Sequence, residues 1–205
     1  MNYVNGLRAG MVLAVVLAAG NAASQNNAPV PKPTPKVGDV LEFANLYVTV
    51  PCKRWEVKEV NKDGMQISQC GGNVAYFDVA SGNLVRIVTK EGDKLVQFSP
   101  RGTSIDFPLS VGKSWTANYD GYTNDDGASW NAKTKCAVHS AEKIKVAAGE
   151  FDTLRIDCED AWSSGPFNGV SKTTSWYAPK VGTVVKSSNP EAAKWNYELT
   201  SFQSK

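Results

Sequence analysis

NAKTKCAVHSAEKIKVAAGEFDTLRIDC, residues 131–158, is the stretch from which the fold is read. Polar and apolar residues alternate from Asn131 to Val146 and again from Phe151 to Asp157. A period of two means a β-strand with one buried face. Between the runs lies Ala147-Ala148-Gly149-Glu150, where Gly149 lets the chain reverse. Two alternating runs joined by a short turn make a β-hairpin. Matching the apolar sides puts Ile144 and Val146 opposite Leu154 and Ile156. Cys136 and Cys158 share that parity, so a bulge in the long strand would bring them together. The pairing Cys136–Cys158 is therefore expected.

Working outward, the same pattern recurs. Val40 to Val50 is a first strand region. Arg54 to Glu59 and Met65 to Cys70 flank Asn61-Lys62-Asp63-Gly64, a hairpin turn signal. Val74 to Val79, Asn83 to Thr89, Lys94 to Ser99 and Lys113 to Tyr119 follow. Lys172 to Tyr177, Gly182 to Lys186 and Trp195 to Phe202 complete the chain. Pro190 to Lys194 is the one segment suited to a helical turn, and no long segment has period 3.6. The fold class is all-β, with minimal helix: a strongly curved antiparallel sheet or open barrel. In the first hairpin, Trp55 should face Ile67 and Val57 should face Met65. That register sets Cys52 opposite Cys70, a second expected disulfide.

The chain has 205 residues, 42% hydrophobic and 20% charged, with a formal net charge of +2. That is ordinary globular composition. Basic residues are spread along the chain, which argues against an electrostatic nucleic-acid interface. The N-terminus carries Arg8, then an apolar run from Met11 to Ala19, then small residues suited to cleavage after Ala22 or Ala23. This is the order of a secretory signal peptide, assigned to residues 1–23. Leu17 to Asn21 resembles a lipoprotein processing box, but Asn21 stands where a lipidated Cys is required. A periplasmic or secreted protein, not a lipoprotein and with no transmembrane segment in its mature form, is expected. Residues 24–36 read as a Pro-rich disordered linker, and residues 37–205 as a single β domain. Four cysteines in an exported chain read as two disulfides, and their wide spacing does not suit zinc.

FPLSVGKSW (Phe107 to Trp115), VAAGEFDTLRI (Val146 to Ile156) and TTSWYAPKVGTVVKSS (Thr173 to Ser188), closed by YELTSF (Tyr197 to Phe202), form a familiar succession. It resembles uncharacterised bacterial envelope proteins with a curved, half-barrel antiparallel sheet. The resemblance covers the C-terminal half, implies the fold, and transfers no functional residue. In these motifs Pro179 fits a turn starting at Ala178, and Phe107-Pro108-Leu109 reads as the end of a strand.

Chemistry is sparse. His139, the sole histidine, lies mid-strand, with Asp157 or Asp160 as conceivable partners on the next strand. Asp120, Asn124, Asp125 and Asp126 group oxygen ligands in a Gly-containing loop, a composition open to both calcium and a plain turn. No nucleophile elbow, zinc-protease helix motif or phosphate loop occurs. A non-enzyme without cofactor or metal is expected. Trp130, Trp162 and Phe167 stand beside polar, Gly/Ser-rich segments, where amphipathic rings could rim a ligand-accepting mouth. The expected function is a binding or envelope-assembly module holding an apolar ligand or a partner segment. The alternative is a structural or interaction protein with a filled core, such as an inhibitor or adhesin component.

Overall fold

The structure is a computed structural model that describes residues 28–44, 53–61, 65–124 and 127–205. Its strands, in chain order, are β1 (Val40–Ala44), β2 (Arg54–Val60), β3 (Met65–Cys70), β4 (Asn73–Asp78), β5 (Asn83–Val88), β6 (Lys94–Ser99), β7 (Ser114–Thr123), β8 (Ser129–Val146), β9 (Gly149–Ser164), β10 (Phe167–Ala178), β11 (Thr183–Ser188) and β12 (Tyr197–Gln203). Each pairs antiparallel with its chain neighbour, and β1 also pairs with β12. The sheet therefore closes into a barrel. Closure removes the free edges that an open curved sheet would present. The predicted helical turn is a single 3-10 turn at Ala193–Trp195.

The β8–β9 ribbon carries the bulge that the cysteines demand. From Val146↔Gly149 to Ser140↔Arg155 the ladder runs in one register. The register then shifts between Val138 and Ser140, leaving His139 as the extra residue. Beyond it, Val138 faces Ile156 and Cys136 faces Cys158. Without that residue Cys136 would face Glu159. The disulfide forms across this pair, with Cα atoms 4.1 Å apart. Ile144 faces Phe151 and Val146 faces Gly149, so the match of these two residues with Leu154 and Ile156 expected from sequence does not hold at the hairpin tip.

The cause is that this ribbon buries opposite faces in its two halves. Cys136, Val138, Leu154 and Ile156 belong to one core, with Tyr177 and Val184. Val146 and Phe151 belong to another, with Phe43, Trp55, Ile87, Val96 and Leu199. On β9 the switch falls where Thr153 and Leu154 are both buried in succession. The hairpin tip is laid on β12, where the Ala148 amide donates to the Leu199 carbonyl at 3.1 Å.

A closed barrel of this strand number is wider than its own side chains can fill. The β6–β7 connection, residues 100–113, takes up the space. Leu109 is fully buried, and Ile105 and Phe107 pack into the second core. Phe107 meets the Tyr177 ring edge-on at 5.5 Å. Gly102 donates to the Leu84 carbonyl, and Asn83 brackets Ile105 through both its side-chain groups. Phe107-Pro108-Leu109, read from sequence as a strand end, is thus part of an inward loop. Its apolar residues alternate because they enter a core, not because they lie in a ladder.

Two further expectations are corrected. Residues 28–36, assigned to a disordered linker, lie against the barrel: Val30 and Leu109 exchange backbone hydrogen bonds at 2.7 and 2.8 Å. Lys32 Nζ donates to the Val79 carbonyl. The prolines do not prevent this, since Val30 supplies both bonds of the bridge. In the β2–β3 hairpin, Val57 faces Ser68 and Glu59 faces Ile67, with a register shift between them. The expected pairs Trp55–Ile67 and Val57–Met65 would close the turn at Asn61 itself, whereas the ladder closes at Val60↔Gln66, three to four residues out of that register and more than the bulge accounts for. Cys70 is disulfide-bonded, while Cys52 and residues 62–64 of the turn lie outside the described residues. The signal-peptide assignment, residues 1–23, also lies outside them.

Among the described residues no helix is long and apolar enough to cross a membrane. The outward faces of the long strands carry Asn131, Lys133, Lys135, Asp157, Glu159 and Lys172. A bilayer-spanning barrel needs an apolar band there instead.

Candidate functional site

The strands alternate in direction, so the β7–β8, β9–β10 and β11–β12 connections share one end of the barrel. The inward loop and residues 28–36 occupy the other. At the first end the inward faces of β7 to β10 run past the packed cores. They carry Tyr119 on β7, Trp130 and Thr134 on β8, Asp160 and Trp162 on β9, and Gly169 and Ser171 on β10.

Each tryptophan lies across a glycine on the neighbouring strand. Gly121 pairs with Trp130, and Gly169 pairs with Trp162. A Cβ on Gly121 would stand 2.2 Å from the Trp130 ring, and one on Gly169 would stand 2.9 Å from the Trp162 ring. Any other residue would lift the indole away. The paired glycines therefore aim Trp130 toward β7 and Trp162 toward β10. Trp130 also meets Phe98 edge-on, with ring centroids 6.3 Å apart. Phe167 shares this face at the ribbon's tip and is 71% exposed. The three ring residues expected from sequence thus lie on one face.

The stretch Ala161 to Gly169, read from sequence as a loop, is strand on both sides of a tight turn at Gly165-Pro166. Its alternation was hidden because small and polar residues occupy both faces there.

Asp160 was considered from sequence only as a partner of His139, and the structure separates the two. Its side chain points inward, one residue pair deeper than Trp162, on a strand between those over which the indoles lean. Thr134 Oγ1 donates to one carboxylate oxygen, and the Tyr119 hydroxyl donates to the other at 3.2 Å. Thr103, at the deepest reach of the inward loop, bonds Thr134 at 3.0 Å and accepts from Trp115 Nε1 at 2.9 Å. The loop entering from the opposite end thereby forms the floor of this site. Burial pushes the Asp160 carboxyl above the ordinary carboxylate range, against the two hydrogen bonds. Burial, and then the Asp160 charge, push the Tyr119 phenol upward as well. No basic side chain among the described residues forms an ion pair with Asp160.

The other sequence candidates fall elsewhere. His139 stands on the bulge, 63% exposed, with Nε2 3.4 Å from Asp157 on the outer surface. Asp157 is also held by Arg155 and Thr174, an arrangement without a nucleophile. Asp120 lies in β7 between Ser99 and Asn131, and Asn124 donates its amide to the Leu95 carbonyl. Asp125 and Asp126 lie outside the described residues. Among the described residues no three His, Cys, Asp or Glu side chains converge on a metal position. On the outer face of β6 to β9 two adjoining open depressions, of ≈ 410 and ≈ 420 Å³, share Ser99, Asp120 and Asn131.

Two solved structures are similar to this chain. One is a Bacteroides fragilis protein described as exported and with a YmcC-like fold, at 13% identity and a TM-score of 0.49, covering 86% of this chain and 100% of that one. The other is a Parabacteroides distasonis protein described as a lipoprotein, at 14% identity and a TM-score of 0.49, covering 84% of this chain and 97% of that one. No family model and no curated protein matches the chain. At these identities no residue role is carried across.

Proposed function

We propose that this protein is a non-catalytic, extracytoplasmic binding module whose ligand seats on the inward face of β7 to β10. The carrying observation is that Trp130, Trp162 and Phe167 share one inward face with the Asp160 carboxylate, at the barrel end opposite the inward loop. The Cys136–Cys158 disulfide suits an oxidising compartment. Amphipathic rings beside one oriented polar group are the composition of a ligand site. Both cores are filled, so the ligand is held at the mouth rather than deep in the barrel.

Native mass spectrometry of the protein isolated with its disulfides intact tests this. An adduct that is released on denaturation, and is missing from a Trp130→Ala/Trp162→Ala variant, is the expected result. A clean mass, with no protection of residues 117–135 and 158–170 from hydrogen exchange in the small-molecule fraction of the same cells, would overturn it.

One observation favours a second reading, an interaction protein working through a sheet edge. The β10–β11 ladder begins at Thr174, so Phe167 to Thr173 extends beyond β11. Val170 on this stretch is 50% exposed. Of its outer side, the Lys172 amide is met by a Glu191 carboxylate at 3.2 Å. An extended partner segment could add to such an edge.

A further inference from the structure

We infer that the group this face accepts is an organic ammonium ion, seated between the two indoles against Asp160. The inference rests on the proposed binding face and names the chemistry of its ligand.

Asp160 is a carboxylate withdrawn from water with no cationic partner among the described residues. Its hydrogen bonds come from Thr134 and Tyr119, both uncharged donors. A purely structural acceptor in this position could be Asn or Gln, which would avoid the cost of desolvating a charge. Instead a carboxylate stands here, on a strand between those over which the two indoles lean. The Tyr119 hydroxyl donates to Asp160 at 3.2 Å, which sets the carboxylate beside an aromatic ring. Phe98 packs edge-on against Tyr119 at 5.6 Å and against Trp130, which fixes both rings. On the other side Trp162 is held by Gly169. A carboxylate between fixed aromatic rings attracts a desolvated ammonium twice, by charge and by the ring quadrupoles. An anionic ligand would be repelled by Asp160. A neutral apolar ligand would gain from the rings alone and would leave the charge uncompensated.

The probes are choline and its neutral isostere 3,3-dimethylbutan-1-ol, titrated into the full-length mature protein by calorimetry and tryptophan fluorescence. Choline is expected to bind at least tenfold more tightly. Asp160→Asn should remove that preference, so that the two probes bind alike. Glycerophosphocholine serves as a third probe. Binding as tight as choline would mark a lipid headgroup as the source, and weaker binding a free ammonium solute; either supports the inference. Equal affinity for choline and its isostere, or an unchanged preference in Asp160→Asn, would overturn the ammonium reading and leave the aromatic binding face standing. Binding by neither probe at millimolar concentration would count against both. Far-ultraviolet circular dichroism of the variant confirms that its barrel is intact.

Discussion

Replacing Gly121 by Ala should destabilise this protein through one contact, the indole of Trp130. The ideal Cβ at position 121 meets Trp130 atoms at 2.2, 2.2 and 2.7 Å, and these are its nearest neighbours. No real Cβ contact is that short, so the indole must rotate off the strand. It would then lose its edge-on packing on Phe98. Forcing a methyl group into a packed contact costs about 1–3 kcal/mol. Gly121 is not among the glycines with positive φ, so its backbone tolerates alanine. With the indole removed, the same substitution should be neutral or stabilising by about 0.4–1 kcal/mol, through the unfolded chain. A double-mutant cycle of Gly121→Ala and Trp130→Ala should therefore give a coupling of about 2 kcal/mol. Urea unfolding followed by far-ultraviolet circular dichroism measures it, since tryptophan fluorescence changes with the mutation itself. If Gly121→Ala costs the same in both backgrounds, the glycine does not seat the indole, and the aiming of the aromatic face has another cause.

Asp160→Asn should raise stability at neutral pH. Its folded-state pKa lies above the ordinary value, so the folded protein holds more protons than the unfolded chain between the two. Stability therefore falls as pH rises through that window, and Tyr119 and Thr134, the groups facing the carboxylate, do not titrate there. The variant should lack this fall, being more stable than the parent at pH 7 and not at pH 3, as read from urea midpoints. Removing the Cys136–Cys158 bridge by a double alanine substitution should cost about 3 kcal/mol, given a sequence separation of 22 residues. An unchanged thermal midpoint would mean the paired strands need no covalent tie. Tyr177 is 1% exposed, and its hydroxyl has no hydrogen-bond partner among the described residues. Tyr177→Phe should accordingly stabilise the fold by about 1 kcal/mol, by removing an unsatisfied buried group. A loss of similar size in chemical denaturation would show that the hydroxyl is satisfied in solution.

Much of this fold was legible in the sequence because its signals are local. Alternation with period two, and turns at residues 147–150 and 178–182, fix strands and reversals without reference to the rest of the chain. The turn at Ala178 forms as read, with Val181 and Gly182 both donating to the Ala178 carbonyl. The cysteine parity was legible too, since it required a bulge in the long strand. What parity could not say is where the bulge lies, because its place at His139 depends on the ribbon switching its buried face between two cores. The same switch defeated the match of Ile144 and Val146 with Leu154 and Ile156. A sequence records that a residue is apolar, but not which of two cores will cover it.

The aromatic face divides the same way. Trp130, Trp162 and Phe167 stood out in sequence as rings beside polar, glycine-rich segments. Their sharing one face follows from strand extension through Ala161 to Ser164, which neither composition nor periodicity marked. Asp160 entered the sequence reading only as a partner of His139, since its burial, its donors and its lack of a basic partner among the described residues come from strands and a loop far apart in the chain. By itself the sequence determined strand period, turns and the parity that aligns Cys136 with Cys158. Ring closure, the inward loop that fills the barrel, and the meeting of Asp160 with two glycine-seated indoles were decided by the tertiary structure. These depend on contacts between distant segments, whose gain appears only once the chain entropy of bringing them together has been overcome.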